Sequence, residues 1–78
     1  MRGDLITQII PHADPDFIRV MEKFPDPPSE AYERALKYLP QLYDLFVQKR
    51  EAAKRGDSQA FKRIVDQEIA LLRQAELD

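Results

Sequence analysis

The chain has 78 residues, 33% charged and 44% hydrophobic, with a formal net charge of −2, no cysteine and one histidine. That length bounds it to one small domain with a thin core, and the missing cysteines exclude disulfide staples, thiolate metal centres and, with His12 alone, a multi-histidine site within one chain. The slightly acidic balance gives no bulk attraction to nucleic acid or anionic lipid, and no apolar run approaches the length that spans a bilayer.

Met1-Arg2-Gly3-Asp4 leads into only four apolar residues, Leu5, Ile6, Ile9 and Ile10, before Pro11, which is unlike a secretory signal. With no cysteine, this fits a cytoplasmic protein. Asp4 is placed as the cap of a short helical turn that Pro11 stops. Asp14-Pro15 reads as an N-cap followed by proline at the first helical position. Phe17, Ile18, Met21 and Phe24 then give one apolar face of a short helix. Pro25-Asp26-Pro27-Pro28 ends it and favours an extended connector. Residues 1–28 therefore form an N-terminal part and 29–78 a helical hairpin, within one domain.

The first hairpin helix is expected over Ser29–Arg55, capped by Ser29. Its seam is Tyr32, Ala35, Leu36, Leu39, Tyr43, Phe46 and Ala53, at close to seven-residue spacing. Pro40 interrupts this run. A break there would need Leu39 as an N-cap, a poor one, and the apolar phase runs straight through. A kinked single helix is the better reading. Gly56 stands where a left-handed residue ends a helix, and Asp57 or Ser58 caps a second helix over Ser58–Glu76 with the stripe Phe61, Ile64, Val65, Ile69, Leu72 and Ala75. The expected fold is all-α: an antiparallel helical hairpin, one long kinked helix plus a C-terminal helix, with a short N-terminal helix packed on it. Each stripe carries one central charge, Arg50 and Glu68, and the hairpin is expected to bring them together as a structural ion pair that fixes register.

Candidate chemistry is sparse. Arg-Gly-Asp occurs at Arg2–Asp4 and at Arg55–Asp57, and both copies coincide with helix boundaries, so an adhesion motif is not favoured. His12, Asp14 and Asp16 form a metal-like string, but Asp14 is better explained as a cap and Asp16 as a first-turn acid. Thr7, Ser29, Ser58 and three tyrosines do not assemble with His12 into a nucleophile, base and orienting group, and two distant glycines make no phosphate loop. No catalytic residue, metal or cofactor is assigned, and the chain is not expected to be an enzyme.

Two surface features remain. Residues 49–63 hold six Lys/Arg against two Asp/Glu, which places Lys54, Arg55, Lys62 and Arg63 as a basic tip around the turn. The tip joins two long helices rather than the short second helix of a DNA-reading helix-turn-helix. Phosphate binding is therefore the second reading and an acidic protein partner the better one. The apolar arc of the long helix is wider than the ~100° that one partner helix covers. The surplus, with Tyr38, Leu42 and Leu45 as its interface residues, points to self-association. The expected function is a small non-catalytic protein–protein interaction module or regulator, with a homo-oligomer as first partner. The alternative is a nucleic-acid-associated regulator using the basic tip. No membrane partner is expected.

Overall fold

In the computed structural model the backbone is described through Leu77 and side chains through Ala75. The described residues are all-α, with no strand. Four helices follow in order: α1 (Gly3–Ile9), α2 (Pro15–Met21), α3 (Tyr32–Arg55) and α4 (Ser58–Leu77), with a single 3-10 turn at Ser29–Ala31 before α3. The α3–α4 pair is an antiparallel helical hairpin, and the short N-terminal helical segment packs on the first turns of α3.

The chain divides into two packed units, Met1–Pro40 and Gln41–Asp78, with the boundary inside α3. The first unit is tied together locally. The Pro25–Pro28 connector is tied back to the chain start, because the Arg2 N–H donates to Asp26 Oδ1 at 3.0 Å. The Met1 nitrogen donates to the carbonyls of Met21, at 3.0 Å, and Phe24. The core of this first unit is Leu5, Ile6, Ile10, Phe17, Met21, Ala35 and Leu39, with Ile6 and Leu39 fully buried. Phe24, expected on the buried face of α2, is 55% exposed, because α2 ends at Met21 and Phe24 lies beyond it.

Of the three caps expected before α4, one is observed and two are corrected. The Asp14 carboxylate accepts the Asp16 N–H at 2.9 Å, with Pro15 in the first turn. Asp4 does not cap α1. The N-cap position is Arg2, with no side-chain cap, and Asp4 is already in the first helical turn, where its charge still complements the dipole. Ser29 does not cap α3 either. It opens the 3-10 turn, and its carbonyl accepts the Tyr32 N–H. Helix α3 runs unbroken past Pro40, as the continuous apolar phase implied.

The turn between α3 and α4 has a complete physical explanation. Gly56 adopts φ +70°, the left-handed conformation that costs glycine least. The Asp57 N–H reaches the Ala52 carbonyl at 2.9 Å and the Gly56 N–H reaches Ala53 at 3.1 Å, the paired bonds of a Schellman ending. The same Asp57 then opens α4, its carboxylate accepting the Ala60 N–H at 3.1 Å. One residue therefore closes one helix with its backbone and starts the next with its side chain, which leaves no room for a longer loop.

Candidate functional site

Within the hairpin, Ala52, Ala60 and Ile64 form a buried cluster against which Leu45 packs. These residues define the facing stripes: Leu42, Leu45, Lys49 and Ala52 on α3, and Ala60, Ile64, Glu68, Leu71 and Ala75 on α4, each at steps of three or four residues. A charged residue stands in each stripe, and the two meet. Lys49 Nζ lies 3.0 Å from Glu68 Oε1 and 3.3 Å from Oε2, with side-chain exposures of 29% and 14%.

The cation seen on Glu68 is thus Lys49, one residue before the Arg50 that the sequence pattern selected. One residue is 100° around a helix. Lys49 continues the Leu42–Leu45–Ala52 row, whereas Arg50 continues the Tyr43–Phe46 row, and its guanidinium lies over the Phe46 ring at 5.7 Å. The pattern held two adjacent apolar rows, and Leu45 of the other row packs on the Ala52–Ala60–Ile64 cluster.

The three residues read as an interface are covered to different degrees. Leu42 is buried, Leu45 packs on the hairpin cluster, and Tyr38 is half-buried. On α4 the large apolar residues left in solvent are Phe61 (38% exposed), Ile69 (45%) and Leu72 (45%), with half-buried Val65 between them; Tyr32 and Leu36, on the first turns of α3, are exposed as well. The α4 residues form a second stripe about 100° around α4 from the buried one. Sequence reading had these residues in a single stripe with Ile64. Only the position of α3 separates the two rows.

Lys54, Arg55, Lys62 and Arg63 are all exposed around the turn, as expected. Among the described residues none of the four enters an ion pair, whereas Lys49 is engaged by Glu68. The carboxylate of Asp57 is bound to the first turn of α4. Beside this tip, a groove of about 470 Å³ runs between the two helices. Its floor is Val47 with the buried Ala60 and Ile64, and its rim is Glu51, Arg55 and Arg63, with Gln48 and Gln67 also lining it. Sequence reading missed this groove. Its signal was the row Gln48, Glu51 and Arg55, which is polar along the rim and borders the buried stripe.

The metal-like string has local uses. Asp14 caps α2, and Asp16 pairs with Arg19 Nη2 at 3.2 Å. Among the described residues no three His, Cys, Asp or Glu side chains converge as a metal site would require. In the first Arg-Gly-Asp copy, Arg2 Nε is 3.7 Å from Asp4 Oδ1 and 3.9 Å from Asp26 Oδ2. In the second, the glycine and aspartate make the hairpin turn. Among the described residues no helix is long and apolar enough to cross a membrane. Comparison with known protein families, with curated proteins and with solved structures gives no match.

Proposed function

We propose that this chain is a non-catalytic helical protein–protein interaction module that pairs with a second copy of itself. The observation that carries this reading is the exposed stripe Phe61–Val65–Ile69–Leu72 on α4, beside a first stripe already spent on α3. A helix with one partner needs one apolar row, and a second contiguous row in solvent marks an association surface. The row also suits twofold pairing. When two α4 helices run antiparallel, Phe61 stands opposite Leu72 of the other copy and Val65 opposite its Ile69, so large residues meet at both ends and branched ones in the middle. A chain this short with no disulfide gains most from such burial.

The test is sedimentation equilibrium on the intact chain at about 50 µM, which is well above the Kd of any micromolar dimer. The expected result is a dimer mass for the parent, and a monomer with unchanged helical circular dichroism for Ile69→Glu combined with Leu72→Glu. A monomeric parent overturns the reading, as does a dimer that survives both substitutions.

A further inference from the structure

The groove beside the basic tip has a charge pattern that selects its occupant. Arg55 closes α3 and Arg63 lies across from it on α4, both exposed and both outside any ion pair among the described residues. Guanidinium groups bind carboxylates through two parallel hydrogen bonds, and two such groups on opposite walls clamp a ligand that carries acid at both flanks. Between them the floor is apolar, formed by Val47, Ala60 and Ile64. The groove has a volume of about 470 Å³.

Glu51 decides between classes of ligand. Glu51 lines the same groove, and a carboxylate accepts hydrogen bonds from peptide N–H groups, which a phosphate backbone does not offer. Gln48 and Gln67 add amides that match a peptide backbone in both senses. From this arrangement we infer that the groove between α3 and α4 binds a short acidic peptide segment of a partner protein, with an apolar anchor side chain on Val47 and Ile64 and flanking carboxylates on Arg55 and Arg63. The groove lies on the opposite flank of α4 from the Phe61–Leu72 stripe, so a dimer and a peptide occupy different surfaces. Failure of either reading leaves the other standing.

Fluorescence anisotropy on the intact chain at physiological salt tests this. The probes are fluorescein-labelled octapeptides carrying Leu, Ile, Phe or Met between paired glutamates, the same peptides with glutamines, and a short DNA duplex. At least one acidic peptide is expected to bind in the micromolar range, about tenfold or more tighter than its glutamine counterpart, since each such arginine–carboxylate contact is worth about a factor of ten. Arg55→Gln with Arg63→Gln is expected to abolish that difference, while Lys54→Gln with Lys62→Gln, outside the groove, changes it less than about twofold. Circular dichroism of both variants checks that the hairpin is intact. Equal loss in the two variants would show diffuse charge attraction instead of a site. Tighter binding of the duplex than of every acidic peptide, or no peptide binding at all, overturns the inference.

Discussion

Lys49 of α3 and Glu68 of α4 form a two-oxygen ion pair, 3.0 and 3.3 Å, in the middle of the otherwise apolar hairpin seam. With the turn at Gly56, Lys49 stands level with about residue 64, roughly one helical turn short of Glu68. The gap closes because helical side chains lean toward their own N-terminus. Lys49 therefore leans away from the turn and Glu68 leans toward it, and they converge. The pair is mostly shielded, so removing one partner leaves a poorly hydrated charge. Lys49→Ala and Glu68→Ala are each expected to lower unfolding free energy by about 2 kcal/mol. Replacing both with leucine is expected to be neutral or stabilising, because the seam then becomes continuous. Urea titrations of the single and double variants give the coupling directly. Additive single effects, with no recovery in the double leucine variant, would show that the pair has no such role.

How much of this was legible in the sequence depends on which signals are local. The Asp14-Pro15 start, the Gly56-Asp57 turn and the passage of α3 through Pro40 are set by residues within one or two turns of each other, and all three appear as read. What the local signals leave open is helix phase and partner. Tyr43, Phe46 and Ala53 make as good a seven-residue row as Leu42, Leu45 and Ala52, and only the actual position of α4 chooses between them. Lys49 of the second row is the cation seen on Glu68, and Leu42 of the same row is buried. Asp4 and Ser29 failed for another reason: a capping residue type is common just inside a helix as well as before it, and side-chain geometry decides.

The turn makes a separable prediction. Gly56 at φ +70° has open space where a Cβ would sit, so Gly56→Ala meets no neighbour and its cost is that of the backbone alone, about 1 kcal/mol. Gly56→Asn is expected to cost less, since asparagine tolerates this conformation. Asp57→Ala removes the carboxylate from the Ala60 N–H and is expected to cost about 1 kcal/mol as well. Thermal melts of the three variants rank them. An alanine at 56 that melts with the parent would contradict the left-handed turn.

Pro40 is exposed inside α3 and leaves the Leu36 carbonyl without its usual helical donor. Alanine restores that donor and leaves no cavity. Against a helix-interior difference of about 3 kcal/mol stands the stiffening that proline gives the unfolded chain, about 1 kcal/mol. Pro40→Ala is therefore expected to stabilise by about 1–2 kcal/mol, a rise of several degrees in Tm for a chain of this size. A lower Tm would contradict this balance and show that the proline contributes more than it costs.

Leu42 and Leu72 separate folding from association. Both are leucines on the hairpin, yet Leu42 is 8% exposed and Leu72 is 45% exposed. Truncating a buried leucine removes its transfer energy and leaves a cavity, so Leu42→Ala is expected to lower stability by about 2–4 kcal/mol. Leu72→Ala removes a side chain that half faces water, and its cost in a monomer is expected to be below about 1 kcal/mol. If α4 pairs with a second copy, dilution supplies the control. At high concentration the Leu72→Ala chain melts below the parent, because the parent's Tm rises with dimer formation, and at high dilution the two melts converge. The Leu42→Ala deficit persists at every concentration. A parent Tm that does not depend on concentration, together with a Leu72→Ala chain that melts with the parent throughout, would leave the exposed stripe without a partner in its own chain.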